Sequence, residues 1–203
     1  RGDAPNRFVI SVQPDQRTSF GAVLRRLSLS PAGFSPLIRA RYIGPSAQQR
    51  GRPAPQGRGE RLADREFNLS TADALPAGNT LKAGAFWNPR SARGEFSVET
   101  KFAEQLRWRL GDTIAFDVAG QRIEGRITSL RDVRWESFTP NFFVLASPDL
   151  ARDLPATYIT AVKVPVGDTR LASALAQAVP NANVIDIDAI TGEIRRIGDQ
   201  AAM

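Results

Sequence analysis

Thr113-Ile-Ala-Phe-Asp-Val-Ala-Gly-Gln-Arg-Ile-Glu-Gly-Arg-Ile-Thr-Ser-Leu130 alternates in character on both sides of Ala119-Gly120. Ile114, Phe116 and Val118 fall on one face, with Thr113, Ala115 and Asp117 on the other; Ile123, Gly125 and Ile127 resume the alternation after the turn. A period of two marks a half-buried strand, and Ala-Gly supplies the positive φ that a two-residue hairpin requires. The middle of the chain is therefore built on an antiparallel hairpin. Around it, residues 81–85, 95–99 and 141–146 read as further short strands, and 101–108 as one short helix.

Both ends of the chain change to a different pattern. Arg7-Phe-Val-Ile-Ser-Val-Gln13 is a strand signal closed by Pro14-Asp15. Phe20, Val23, Leu24 and Leu27 then recur at helical spacing, with Thr18 or Ser19 as N-cap and with Pro31 and Gly33 closing the helix, and residues 36–44 read as a second strand. The C-terminal part repeats this order. Thr157-Tyr-Ile-Thr-Ala-Val-Lys-Val164 is a strand, Asp168 caps a helix carrying Leu171, Ala174, Leu175 and Ala178, and Asn183-Val-Ile-Asp-Ile187 is a strand. From Asp188 a further helix is expected, with Ile190, Ile194, Ile197 and Ala201 on one face and no stop signal before Met203. The expected fold is α+β. A split β-α-β subdomain is formed by residues 1–45 and 155–203, and a β-rich subdomain, residues 46–154, is inserted into it.

The 203 residues are 42% hydrophobic, enough for a real core. There is no cysteine and no histidine, which excludes thiol chemistry, Ser-His-Asp catalysis, Cys/His zinc sites and histidine-ligated haem. The formal charge of +6 is local: residues 1–65 hold 12 arginines against four acids, and the remainder holds 15 basic residues against 17 acids. Much of the excess lies in residues 45–64, where Pro, Gly, Gln and Arg leave little apolar surface and a flexible surface loop is expected. No apolar run reaches the roughly 18 residues of a membrane span. The chain opens on Arg1-Gly-Asp and closes inside a helical pattern, so a soluble piece of a longer protein is expected.

Candidate chemistry is sparse. Asp186 and Asp188 stand two apart at a strand end and would hold a metal or share a proton, unless Asp188 only caps the next helix. Leu110-Gly-Asp112 reads as an acidic loop or as plain turn chemistry. Asn68-Leu-Ser70 matches a glycosylation triplet by composition only. No phosphate-cradling glycine motif and no G-x-S-x-G is present, so nucleotide binding and acyl transfer by those templates are excluded, and no cofactor is expected. The arginines with Trp87, Trp108, Trp135 and Tyr42 would make a stacking platform for single-stranded nucleic acid, an alternative that a gel shift at two salt concentrations decides. The segment from Thr128 to Phe143 mixes Trp135, Phe138, Phe142 and Phe143 with charges and a proline. It is either a core-packed connection or an exposed patch for a partner or lipid-like ligand; at least two of the four rings are expected to be largely accessible, and complete burial of all four would refute the patch.

At these residues the chain resembles the extracytoplasmic domain of FtsX/MacB-like ABC transporter permeases, most closely a branch linked to a lysophospholipase or arylesterase. The resemblance rests on Pro5-Asn-Arg-Phe-Val-Ile-Ser-Val12, Arg65-Glu-Phe-Asn-Leu-Ser70, Leu110-Gly-Asp-Thr113, Thr128-Ser-Leu-Arg-Asp-Val-Arg-Trp-Glu-Ser-Phe-Thr-Pro-Asn-Phe-Phe143 and Asn183-Val-Ile-Asp-Ile-Asp-Ala-Ile190. Such permeases pass from the second strand to Arg-Glu-Phe-Asn by a modest turn, where this chain carries the Arg/Gly/Pro loop. The resemblance implies a MacB-like periplasmic core domain with a mixed α/β porter and a β-rich sabre, held between transmembrane helices of a bacterial inner-membrane protein. It implies a non-enzymatic role, mechanotransmission. A cytoplasmic ABC ATPase subunit drives the membrane helices, and the helix carrying Ile190, Ile194 and Ile197 transmits that motion to extract or release a hydrophobic substrate. The implied partners are the ATPase, the other periplasmic domain of the same permease and a periplasmic lipase or esterase; nucleic acid is not among them.

Overall fold

A computed structural model describes residues 4–44, 49–137 and 139–187. In chain order they form β1 (Arg7–Val12), α1 (Arg17–Arg26), β2 (Pro31–Tyr42), α2 (Arg58–Asp64), β3 (Glu66–Ser70), β4 (Asn79–Gly84), β5 (Glu95–Glu99) and α3 (Thr100–Leu106). There follow β6 (Thr113–Val118), β7 (Gln121–Val133), β8 (Val144–Ala146), α4 (Pro148–Ala151), β9 (Thr157–Val162), α5 (Arg170–Ala178) and β10 (Asn183–Asp186). The fold is α+β. Two compact units share the chain: residues 1–35, 136–140 and 157–203 make the first, and residues 36–135 and 141–156 the second.

In the first unit β1 is central and pairs antiparallel with both β9 and β10. Ser11 adopts a positive φ of 65° and shifts the β1–β9 register between Val9 and Val12. The extra residue resets the alternation, so Val9 and Val12, three apart, are both fully buried. They pack with Phe20, Val23 and Leu24 of α1 and with Leu171 and Leu175 of α5. Arg17 lies over the rings of Phe34 and Tyr158, at 4.9 and 4.7 Å, and those rings stack on each other at 5.0 Å. The ends of α1 differ from the sequence expectation. A 3₁₀ turn at Pro14–Gln16 leads into the helix at Arg17, ahead of Thr18 and Ser19. The helix stops because Ser28 takes φ 58° while Leu29 N–H donates to Leu24 O at 2.8 Å, which leaves Pro31 free to start β2.

The second unit is a closed barrel. Its ring runs β2–β3–β8–β5–β7–β6 and returns to β2, with β3–β8 and β5–β7 parallel and the other pairs antiparallel. β7 is 13 residues long. It pairs with β6 through Gln121–Arg126 and with β4 through Ser129–Val133, which places β4 outside the ring. The hairpin read from the sequence is present, with Val118 opposite Gln121 and with Ala119 and Gly120 at φ 51° and 85°. The barrel is filled by Ile38, Phe67, Leu69, Phe96, Val98, Ile114, Phe116, Ile127 and Val144. Tyr42, Phe67, Phe102, Trp108 and Phe116 form one aromatic cluster with ring centroids 5.1 to 6.4 Å apart.

The stretch at 45–64 departs from a loop where it is described. Residues 58–64 form α2, with Gly59 and Leu62 buried. Leu62 joins the barrel core, and Gly59 meets the end of α3 so closely that a Cβ there would stand 2.1 Å from Gln105 O. One leucine and a glycine-sized contact are enough to dock this otherwise polar helix, a detail that composition averages away.

Candidate functional site

Two places in the second unit collect the side chains worth weighing. The first begins at Leu110-Gly-Asp112. Gly111, at φ 91°, turns the chain into β6, and Asp112 N–H donates back to Arg109 O at 3.0 Å, so turn chemistry is present. The carboxylate does more than close the turn. It is 2% exposed as a residue and accepts both arms of the Arg52 guanidinium, Nη1 to Oδ2 at 2.6 Å and Nη2 to Oδ1 at 2.9 Å. The Arg109 N–H donates to it at 2.8 Å, and Gln49 Nε2 reaches it at 3.5 Å. Burial pushes the Asp112 carboxyl upward, but Arg52, the Arg109 N–H and Gln49 together outweigh that and hold it below the usual carboxylate range. Tyr42 Oη donates to Gln49 Oε1 at 3.0 Å, so Gln49 links the aromatic cluster to the same carboxylate. A bidentate arginine–carboxylate pair fixes orientation as well as distance, and here it fastens the Arg/Gly/Pro stretch to the barrel. Between this stretch, α2 and the end of α3 lies a cleft of about 490 Å³, with Tyr42, Pro53, Ala54, Pro55, Ala63 and Leu106 as its apolar wall and Arg50, Arg52, Asp64 and Arg107 as its charged lining.

The second place is the part of the Thr128–Phe143 segment that belongs to the second unit, residues 128–135 and 141–143. Trp135 opens a 3₁₀ turn (Trp135–Ser137) and is 44% exposed. Phe143 is half-buried, stacked on Phe102 at 4.5 Å and tilted against Trp135 at 4.9 Å. Phe142, also half-buried, packs on the small cluster of Trp87, Ala92 and Leu145. Of the three described rings, one is exposed and two are half-buried; Phe138 lies outside the described residues. The segment is held by Arg131, only 1% exposed, which donates to Ser97 Oγ, Asn79 Oδ1 and the carbonyls of Ser97, Phe142 and Phe143 at 2.8 to 3.3 Å. Burial lowers the Arg131 pKa to about 10, with the charge of Glu99 acting in the opposite direction, so the guanidinium remains cationic at neutral pH. Neither the Arg52–Asp112 clamp nor the Arg131 network was readable as a pair in the sequence, because 60 and 52 positions separate Asp112 from Arg52 and Arg131 from Asn79.

The remaining sequence candidates fall elsewhere. Asp186 pairs with Arg7 at 3.4 Å across β1 and β10, while Asp188, Ile190, Ile194 and Ile197 lie outside the described residues. The N-cap of α5 is Thr169 and not the expected Asp168, which instead accepts from the Arg170 guanidinium at 2.7 Å and from the Arg170 N–H at 3.1 Å, and these together lower its pKa to about 2. Trp87 and Trp108 are buried, and Trp87 Nε1–H donates to Ala72 O at 2.9 Å. Two of the three tryptophans are thereby removed from any surface platform for stacking bases. Among the described residues no group of three or more acidic side chains gathers as a metal site, and no helix is long and apolar enough to cross a membrane.

No family model matches the chain. A relative that does match is an ABC transporter permease, aligned over 192 residues that make up 95% of this chain, at 29% identity. It is the uncharacterized ABC transporter permease YbbP of Escherichia coli (strain K12). The chain spans about a quarter of that relative's length, the aligned part being 23% of it. The chain is therefore ABC-permease-like along nearly its full length, as the quoted segments led one to expect.

Proposed function

We propose that the chain is a non-catalytic periplasmic domain of an inner-membrane ABC transporter permease. In this reading, ATP hydrolysis on a separate cytoplasmic subunit drives extraction or release of a hydrophobic or lipid-like substrate by mechanotransmission. The observation that supports it best is the match to a permease over 95% of the chain. The first unit would be the porter-like part and the second the sabre-like part. Residues 188–203, with Ile190, Ile194 and Ile197, would form the coupling helix, and a helix transmits displacement only if its backbone hydrogen bonds are unbroken. Trp135, with Phe143 against it and Phe142 on the same segment, would be the contact for substrate, for the other periplasmic domain or for a lipase-like partner. An exposed tryptophan backed by a fixed aromatic layer offers apolar area at low ordering cost.

The test is made on the full-length parent. Within about 30 residues of each end of the chain, its gene should encode apolar runs near 20 residues, the length needed to cross a bilayer. Polar flanks on both sides end the proposal. In the intact permease, Ile194→Pro should leave assembly with the ATPase intact and abolish transport, because proline breaks the coupling helix. Undiminished transport in that variant removes the coupling role.

A further inference from the structure

The cleft beside the Arg52–Asp112 clamp has no part in the reading above. We infer that it binds a small amphiphile carrying a single negative charge, such as a carboxylate on an apolar body. Its volume of about 490 Å³ falls among small-molecule sites, which run from roughly 300 to 1,000 Å³. Its wall is mainly apolar, and its charges are few and arginine-rich. Arg52 is committed to Asp112 through both arms, so the cations left to the cleft are Arg50 and Arg107, set against Asp64. Among the described residues neither arginine has a carboxylate partner. Two cations and one anion leave one positive charge over, the complement of a monoanion. A guanidinium fork also matches a carboxylate through two parallel hydrogen bonds, which an ammonium does not.

Arg107 supplies an independent observation. It closes α3 at φ 62°, ψ 29°, the left-handed conformation that glycine fills with least strain. A long cationic side chain at that position is carried against backbone preference, and it lines the cleft. The walls are also fixed in advance. Arg52–Asp112 and Tyr42–Gln49 tie down the Arg/Gly/Pro side, and Gly59 locks α2 against α3. A site whose walls are ordered before binding loses little further freedom when a ligand enters.

Calorimetric titration of the 203-residue chain with decanoate, kept below its micelle-forming concentration, tests this. Decanol and acetate serve as probes that lack the charge or the chain. Decanoate should bind at one per chain, with both comparison probes weaker by about tenfold or more. Arg50→Gln combined with Arg107→Gln should weaken decanoate by at least about tenfold without altering thermal unfolding, since both side chains are exposed. Arg107→Gly removes the charge and relieves the backbone, so it should weaken binding while unfolding occurs at the same or a higher temperature. Asp64→Asn should tighten binding. Decanol binding as well as decanoate, or unchanged binding in the double variant, overturns the inference. So does retention on phosphatidylglycerol vesicles without saturable decanoate binding, which would assign these arginines to a membrane surface. None of these outcomes bears on the permease reading, which stands on the flanking sequence.

Discussion

Replacing Arg131 with methionine isolates what holds the aromatic segment in place. Methionine fills much of the arginine's volume but donates nothing. Three acceptors then lose a donor in a partly buried environment, the carbonyls of Ser97 and Phe142 and the Asn79 side-chain oxygen, whereas the Phe143 carbonyl keeps the Glu99 N–H at 2.8 Å. At about 1 kcal/mol for each acceptor that loses its donor, the loss is about 3 kcal/mol. Against it stands the relief of no longer burying a charge that lacks a direct carboxylate partner, a gain of about 1 kcal/mol or more when apolar residues replace buried ions. The net expectation is a destabilisation of about 1 to 2 kcal/mol. Trp87, Trp108 and Trp135 all belong to the second unit, so urea unfolding followed by tryptophan fluorescence reads that unit alone. The native emission should also shift to the red, because Phe143 would no longer be held 4.9 Å from Trp135. A variant as stable as the parent, with unchanged emission, would mean that the burial penalty cancels the whole network and that the segment is positioned by ring packing alone.

Three further outcomes follow from the same geometry. Gly59→Ala drives a methyl into Gln105 O and should cost the second unit about 1 to 3 kcal/mol, checked by the same urea titration. Gly120→Val forces a β-branched residue to φ 85° at the hairpin turn and should cost about 1 to 3 kcal/mol; an isoenergetic variant would show that the turn relaxes to another type. The Asp112 carboxyl titrates below its unfolded value of about 3.9, so its contribution is complete above that pH and is lost as the pH falls through the lowered folded value. Acidification below about pH 4 should therefore release residues 49–52, seen as faster amide exchange there, whereas Asp112→Asn should show that faster exchange already at neutral pH.

Periodicity carried the elements that stand on their own: the β6–β7 hairpin, α1, α5 and the strand signals at both ends, because a hydrophobic face repeats within one window of sequence. The residues that resemble the permease family were legible for a similar reason, as contiguous segments. Other features were not. The end of α1 was misplaced because Ser28, not the later Pro31 and Gly33, takes the left-handed conformation. Helix α2 was hidden because its docking depends on Leu62 and Gly59, two residues in a run of polar ones.

The sequence by itself determined that the fold is α+β, that cysteine and histidine chemistry is absent, and that the basic excess is confined to the first third of the chain. Only the tertiary structure decided that β2, β3, β8, β5, β7 and β6 close into a ring, because parallel pairs such as β3–β8 join residues some 75 positions apart and no local pattern encodes them. It also decided what the arginines do. In sequence, Arg50, Arg52, Arg107 and Arg131 are equivalent charges. Folding buries Arg131 beneath the aromatic segment, joins Arg52 to Asp112, and leaves Arg50 and Arg107 lining one cleft, since the free energy of a charge is set by which neighbours replace its water.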